Sequence, residues 1–218
     1  SPDEQTFTIT LQACCKLLEE EELIPLPLDI GRSVHTNIAM RGYDSDIFVR
    51  DSLVNMYGKC GSNLDANYVF SQCCAHTSVS WNALISGYAQ QGLGNEALSC
   101  FRKMREEGIS PSVVTYICVL NACSSIRALE VGEEIHVEVR RKGLLLGKEI
   151  VLGTALVDMY AKCGGLEKAQ QVLEELPMRN VVSWTALIAG YAQQGHDHAA
   201  LNCFERMQSE GLLPNAIT

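Results

Sequence analysis

A long segment of this chain occurs twice, and this duplication restricts the possible folds more than any other feature. The residues Trp81–Gly92 return almost unchanged as Trp184–Gly195. The match runs without a gap from 47–112 to 150–215, and nearly half of the aligned residues are identical. Such self-similarity is typical of repeat arrays, in which each unit packs against its neighbours. We therefore expect function in a row of equivalent positions rather than in one catalytic cleft.

Apolar residues recur at helical spacing inside each copy. Trp81, Leu84 and Tyr88 fall on one face of a helix. A second apolar stripe ends at Gly108, with Pro111 just beyond it, which is a typical helix stop. No segment alternates apolar and polar residues as a half-buried strand does. The pattern predicts an all-α fold, a helical-repeat solenoid in which antiparallel helix pairs form a superhelix.

Three types of unit alternate along the chain, and each type occurs twice. The predicted units are 4–46, 47–77, 78–112, 113–149, 150–180 and 181–215, with 1–3 and 216–218 as stubs of flanking units. The acidic run Glu19–Glu22 predicts a solvated helix end, and Pro25 and Pro27 predict a loop after it. Both ends fall inside the repeat pattern and no targeting segment is visible, so we interpret the chain as a piece of a longer array.

Composition bears on the surroundings of the protein more than on its fold. The chain has 218 residues and a formal net charge of −9. A negative total argues against binding that depends on phosphate, although it does not exclude a neutral or basic groove. No apolar run is long enough to span a membrane. The ten cysteines mostly recur in register within apolar helices, which predicts buried free thiols and a reducing compartment.

Two groups of residues resemble metal sites. The His136–Glu138 segment is similar to the first half of the zinc-deaminase signature, but the chain has no Cys-x-x-Cys pair to complete it. His196 and His198 flank Asp197 near Cys203, yet the other copy has Leu, Gly and Asn in place of these three residues. We therefore predict no metal, no cofactor and no catalytic residue in this chain.

The segments Val79–Tyr88 and Met104–Pro111 resemble the core motif of the pentatricopeptide repeat family. The alternating unit lengths are similar to those of the plant PLS subclass. By this resemblance the chain contains L-type units at 4–46 and 113–149, S-type units at 47–77 and 150–180, and P-type units at 78–112 and 181–215.

This resemblance implies a function for the chain. The family binds single-stranded RNA sequence-specifically, with one base per repeat, in the mitochondrion or chloroplast. PLS proteins mostly serve C-to-U editing, so the chain is expected to be the target-recognition part of an editing factor. It is not expected to be an enzyme, because any deaminase activity would lie in a domain outside it. Proteins of an editing complex are further expected partners.

The resemblance assigns base recognition to the fifth and the last residue of each unit. The assigned pairs are Thr8 with Asp46, Asp51 with Thr77, Asn82 with Ser112, Thr154 with Asn180, and Thr185 with Asn215. The 113–149 unit gives Ile117 with Glu149, but the side chain of Ile117 has no hydrogen-bonding group. Reading one base with two or three side chains per helical repeat is a known solution for RNA. In the family's code the units in chain order suggest 5′-G-N-C-N-A-A-3′, where N marks units without an assignment. The alternative is that these are ordinary exposed polar positions.

Two further sets of residues are assigned to the RNA by the same resemblance. Val79, Val151 and Val182, the second residues of three units, are expected to wedge between successive bases. The alternative is that they are core or groove-lining valines. Lys59 and Lys162 occupy equivalent places late in a first helix and are expected to contact phosphate. A solvated lysine beside a glycine turn fits the same pattern.

A different function also suits an array of helix pairs. A tetratricopeptide-like scaffold binds proteins and has no affinity for RNA. Such grooves usually hold peptides with charged and large side chains, whereas the variable positions here are Asn, Thr, Ser and Asp. In either case, the exposed apolar faces at the two ends of the array predict self-association at high concentration.

Overall fold

The computed structural model describes residues 3–17, 26–72, 75–145 and 150–215. Within them the chain forms twelve α-helices, one short 3₁₀ helix at Tyr43–Ser45 and no strand, so the predicted all-α class is confirmed. The helices are α1 Glu4–Leu17, α2 Leu26–Met40, α3 Ile47–Lys59, α4 Asn63–Ser71, α5 Ser78–Gln90, α6 Gly94–Glu106, α7 Val113–Ile126, α8 Leu129–Arg141, α9 Ile150–Lys162, α10 Leu166–Glu175, α11 Val181–Gln193 and α12 Asp197–Ser209. None of these described helices has the length and apolar character needed to cross a membrane.

The loop predicted at the prolines is only partly tested. The acidic run Glu19–Glu22 and Pro25 lie outside the described residues. Pro27, however, lies in the first turn of α2, so the prediction of a loop there is wrong. The physical reason is that the first helical N–H groups have no partner inside the helix, and a proline there removes no hydrogen bond.

The chain divides into two compact units, Ser1–Thr115 and Tyr116–Thr218. In the first unit α1 packs on α3 and α3 packs on α5, while α2, α4 and α6 pack against the first helix of their own pair. In the second unit α9 packs on both α10 and α11, and α11 packs on α12. Within each compact unit the first helices of neighbouring pairs thus lie side by side. A repeat array buries in this way an apolar stripe that one helix pair cannot bury alone.

Each copy has a buried tryptophan near the start of a first helix, Trp81 on α5 and Trp184 on α11. Trp81 and Trp184 are buried, and each indole Nε1 donates a hydrogen bond to a glutamate after the second helix. The acceptors are Glu107, at 3.3 Å from Trp81, and Glu210, at 3.1 Å from Trp184. A buried indole whose N–H has a partner is a stabilising core residue. The tryptophans are therefore packing residues, as their shared helical stripe predicts.

The described cysteines are all free thiols, and all are buried or half-buried. Burial raises the pKa of Cys60 and Cys100 to about 11 and that of Cys123 to about 12. Because the thiolate is the reactive form, these thiols are poor nucleophiles at neutral pH. The adjacent pair Cys73 and Cys74 lies outside the described residues.

Helices α3 and α5 approach each other closely at two glycines, Gly58 and Gly87. A Cβ added at Gly87 would lie 2.9 Å from Gly58 Cα, and a backbone atom cannot move aside as a side chain can. At the equivalent place between α9 and α11, Ala161 replaces Gly58 and lies opposite Gly190. The crossing of α9 and α11 therefore accommodates one methyl group on its first partner, and the second partner is a glycine at both crossings.

We expect Gly87→Ala to lower the free energy of unfolding by about 1–3 kcal/mol, because the added methyl group overpacks the helix crossing. Urea unfolding followed by circular dichroism measures the change. Gly58→Ala is the matched control, since it recreates the arrangement of Ala161. It should have a smaller effect, because its Cβ would lie 3.1 Å from the backbone oxygen of Ala83 and 3.5 Å from Gly87 Cα. Equal losses of stability in the two variants would contradict this account.

Candidate nucleic-acid interface

The last residue of each predicted unit, where the structure describes the junction, begins the first helix of the next unit. Asp46, Thr77 and Asn180 are the N-caps of α3, α5 and α11, with side-chain oxygens that accept backbone N–H groups of the first turn. Ser112 does the same before α7, accepting from the N–H of Thr115 at 3.2 Å. Asp, Asn, Ser and Thr are the preferred N-cap residues. A small polar residue at this position therefore has a structural reason independent of any ligand.

Capping uses only part of each polar side chain. Asn180 Oδ1 accepts the N–H of Ser183 at 2.8 Å, and its Nδ2 amino group takes no part in the cap. Asp46 Oδ1 accepts the N–H groups of Phe48 and Val49, both at 2.9 Å, so the cap does not use Oδ2. An exchange between Asn and Asp would preserve the helix start. It would change only what the side chain offers to a ligand.

Three of the fifth residues are threonines with a common local geometry. Thr8, Thr154 and Thr185 each donate a hydroxyl hydrogen bond to the carbonyl oxygen four residues earlier, at 2.9, 2.9 and 2.7 Å. This bond holds the hydroxyl against its own helix. Asn82 differs, because its Oδ1 is shielded from water and has no hydrogen-bond partner. A buried acceptor without a donor is destabilising.

The packing of neighbouring first helices brings predicted pairs together. Thr154 on α9 lies on the helix that packs against α11, which Asn180 caps. Asp51 and Thr77 are related in the same way across α3 and α5, and here the two side chains touch. Thr77 Oγ1 donates to Asp51 Oδ2 at 2.7 Å. Burial raises the pKa of Asp51, and hydrogen bonds from Thr77 and Ser80 only partly oppose that rise.

The second residue of five predicted units is an exposed apolar side chain. Val79, Val151 and Val182 are 56%, 61% and 60% exposed, so they are not core residues. The alternative of valines that line a groove stays open. Two further members of this set were not predicted from the sequence, namely Phe48 at 72% and Val114 at 56% exposed. Their position within the repeat would have predicted them, because each is the second residue of its predicted unit. Such a recurrence differs from the single apolar side chains that any protein surface carries.

The two lysines expected at phosphate have different surroundings. Both are exposed, but Lys162 forms an ion pair of 2.8 Å with Asp158, one turn earlier on α9. The position equivalent to Asp158 is Asn55, so this particular ion pair along the helix does not recur at Lys59. Ion pairs of this kind contribute only about 0.3–0.5 kcal/mol. Lys162 can therefore leave Asp158, though its charge is less available than that of an isolated lysine.

The histidine that resembles part of a deaminase signature belongs to the scaffold. His136 Nδ1 lies 2.9 Å from the hydroxyl of Tyr160, and His35 makes the same contact with Tyr57 in the other copy. Burial lowers the pKa of both imidazoles, so the neutral form is favoured. Among the described residues no group of three or more His, Cys, Asp or Glu side chains is placed to hold a metal ion.

Models of the pentatricopeptide repeat match several parts of the chain. The model described as the PPR repeat family matches 76–125 and 179–218, and a model described as the PPR repeat matches 154–181. Together they cover just over half of the residues. The chain belongs to the pentatricopeptide repeat family.

Pentatricopeptide repeat-containing proteins of Arabidopsis thaliana align with most or all of the chain. The chloroplastic protein At4g18520 is 37% identical over 100% of this chain and 34% of its own length. The mitochondrial protein At2g03880 is 38% identical over 86% of this chain and 29% of its own length. The chain thus spans roughly a third of the length of these relatives. Their names support the organellar localisation that the resemblance implies.

A solved structure shares the fold. The crystal structure of the maize pentatricopeptide repeat protein PPR10, in complex with an 18-nt psaJ RNA element, superposes with a TM-score of 0.71. The two chains are 20% identical, and the match covers 99% of this chain and 31% of PPR10. This pentatricopeptide repeat chain therefore has the predicted helical-repeat fold, that of a solenoid built from antiparallel helix pairs.

Proposed function

We propose that this chain binds single-stranded RNA sequence-specifically and recognises one base with each repeat. The observation that carries the proposal is a recurring arrangement of two features. An exposed apolar side chain is the second residue of a unit, and the proposed polar pair lies beside it. One member of the pair is on a first helix and the other is at the start of the next first helix. Pentatricopeptide repeat relatives, and a structural neighbour crystallised with RNA, support the same function. Within a longer protein of the PLS subclass, the array would be the target-recognition part of an organellar C-to-U editing factor. The chain itself would perform no catalysis.

The geometry of one helix turn suits a base. Val151 and Thr154 lie one turn apart on α9, and Val182 and Thr185 have the same spacing on α11. Residues three apart share a helix face. A base inserted here would contact the valine with its flat surface and the threonine with its polar edge. Bases of single-stranded RNA are accessible for both contacts, whereas those in a duplex are stacked and paired.

The capping geometry offers a physical account of the base assignments. At the pair of Thr154 and Asn180, the free amino group of Asn180 would donate to the unprotonated N1 of adenine. At the pair of Thr8 and Asp46, the second carboxylate oxygen of Asp46 would accept an N–H group of guanine. With Asn82 and Ser112 assigned to cytosine, the units in chain order give 5′-G-N-C-N-A-A-3′. Both adenines come from pairs of Thr and Asn, at 154 with 180 and 185 with 215.

A mobility-shift experiment tests the proposal. The 218-residue chain should bind a single-stranded RNA that contains 5′-GUCUAA-3′ and should bind the corresponding RNA duplex much more weakly. Replacing both adenines with cytosine should reduce affinity by about tenfold or more, since good base-edge contacts discriminate by about 1–3 kcal/mol each. Equal affinity for every single-stranded sequence would contradict base recognition. Failure to bind any single-stranded RNA would favour the protein-binding scaffold instead.

Two further partners belong to this proposal. Editing-complex proteins would contact surfaces outside the RNA-binding face. Self-association at high concentration would involve the outermost described helices, where Ile9 on α1 and Leu201 on α12 are exposed. Burying such apolar side chains between copies of the chain would remove them from water.

A further inference from the structure

The first helix of the 47–77 unit carries two residue types that its counterpart lacks. Phe48 replaces Val151, and Asp51 replaces Thr154. Phe48 and Asp51 lie one turn apart on α3, with the ring mostly exposed and only 9% of Asp51 accessible. The helix therefore carries an exposed aromatic ring one turn away from a largely buried carboxylate.

The hydroxyl of Thr77, the other member of this pair, is fully occupied within the protein. It donates to Asp51 Oδ2 at 2.7 Å and accepts the N–H groups of Val79 and Ser80, both at 3.1 Å. A hydroxyl has one proton and two lone pairs, so Thr77 has no capacity left for a ligand. A base edge that meets this pair meets the carboxylate of Asp51. An ionised carboxylate only accepts hydrogen bonds, and it can accept about four.

The four bases differ in what they would present to this carboxylate. Guanine has two adjacent donors on its Watson–Crick edge, N1–H and the N2 amino group. Adenine and cytosine each have one amino donor beside an unprotonated ring nitrogen, whose lone pair would face the carboxylate. Uracil has a single N3–H between two carbonyl oxygens. Since an unmatched buried polar group is destabilising, guanine is the base that fits an acceptor-only partner.

We propose that the 47–77 unit selects guanine, with Asp51 accepting hydrogen bonds from the base edge and Phe48 stacking on the base. This proposal rests on the proposed RNA-binding function and extends it, because the family's code leaves this pair unassigned. Thr77 acts as a positioning residue that holds one carboxylate oxygen. The expected target becomes 5′-G-G-C-N-A-A-3′.

Four RNAs that differ only at the second nucleotide of 5′-GXCUAA-3′, flanked by uridines, test the assignment. The 218-residue chain should bind the RNA with X = G about tenfold more tightly than the other three, by analogy with bidentate base contacts. Asp51→Asn keeps the shape of the side chain but replaces one acceptor oxygen with an amino donor. Asp51→Thr recreates the residue of the equivalent unit, Thr154, which that helix accommodates. Both variants should lose the preference for guanine.

Two variants serve as controls. Asp44→Asn removes the same charge at an exposed position of the preceding 3₁₀ helix, so any general gain of affinity from a less negative protein appears there too. It should keep the preference for guanine. Phe48→Val, which copies Val151, should weaken binding to all four RNAs and leave their order unchanged. Circular dichroism melting verifies that each variant is folded.

The outcomes separate this assignment from the function on which it rests. One outcome is equal affinity for the four RNAs, combined with discrimination at the nucleotide opposite Thr185 and Asn215. That result would overturn the assignment of guanine and leave RNA recognition intact. A preference for guanine that survives in both Asp51 variants would also overturn it. If no single-stranded RNA binds at all, the RNA-binding function is wrong and the assignment of guanine is wrong with it.

Discussion

Replacing Trp184 with alanine is expected to lower the free energy of unfolding by about 3–5 kcal/mol. The indole is only 1% exposed, and its Nε1 donates to Glu210 at 3.1 Å. Truncation would leave a cavity between α11 and its neighbours and would remove one donor from the glutamate. Because a domain of this size is typically stable by only about 5–15 kcal/mol, the loss is large. Urea unfolding followed by circular dichroism measures it.

A milder change at the same site separates packing from RNA contact. Trp184→Phe retains an aromatic ring and should remain folded at moderate loss of stability. Since the tryptophan is buried, the folded variant should bind RNA as the unchanged chain does. Glu210→Gln keeps an acceptor for the indole and isolates the contribution of the charge that also pairs with Arg179. Unchanged unfolding combined with lost RNA binding would show that Trp184 stacks on a base, contrary to its burial.

Exchanging Asn180 for aspartate is expected to change the base that the 150–180 unit prefers from adenine to guanine. Asn180 Oδ1 caps α11 by accepting the N–H of Ser183, and aspartate is an equally good N-cap. The exchange therefore keeps the helix start and turns the remaining amino donor into an acceptor oxygen. By analogy with bidentate contacts in DNA, the preference should change by about 1–3 kcal/mol. Affinities for four RNAs that differ at the fifth nucleotide measure it.

The neighbouring unit provides an internal control for this exchange. Thr185 and Asn215 are unchanged in the variant, so the sixth nucleotide should still be read as adenine. Asn180→Ala removes the cap together with the proposed base contact, and it should also reduce stability by about 1 kcal/mol. The aspartate variant could still prefer adenine, or it could lose affinity equally for all four RNAs. Either result would show that Asn180 does not contact the base.

Much of the fold could be predicted because the chain contains two copies of the same pattern. Comparison of the copies separates residues that stay the same, such as Trp81 and Trp184, from residues that change, such as Asn82 and Thr185. Unchanged apolar residues at helical spacing indicate the core, and glycine followed by proline indicates where helices end. These are local properties of the chain, so the helices and the register of the repeats follow without knowledge of any long-range contact. The predicted base-recognition pairs depended further on the family resemblance.

The capping role of the last residues needed the structure. Asp46 and Asn180 each accept hydrogen bonds from a helix that begins at the next residue, and a short polar residue in a loop has many other uses.

Salt bridges between units could not be predicted from the sequence either. Arg32 pairs with Asp65 in the first copy, and the equivalent contact in the second is between Glu133 and Lys168, with the charges reversed. Position-by-position comparison of the copies shows only two unrelated changes there.

By itself, the sequence determined which residues share a helix face, because helical periodicity is a property of neighbours along the chain. It did not determine which faces are covered. Val79 and Phe48 are exposed because no helix in the described part of the chain packs over them, and an apolar residue type alone suggests the opposite. The bond between Asp51 and Thr77 likewise exists only because α3 and α5 pack side by side. Burial and contacts between helices depend on how helices pack, and helix packing is decided by the tertiary structure.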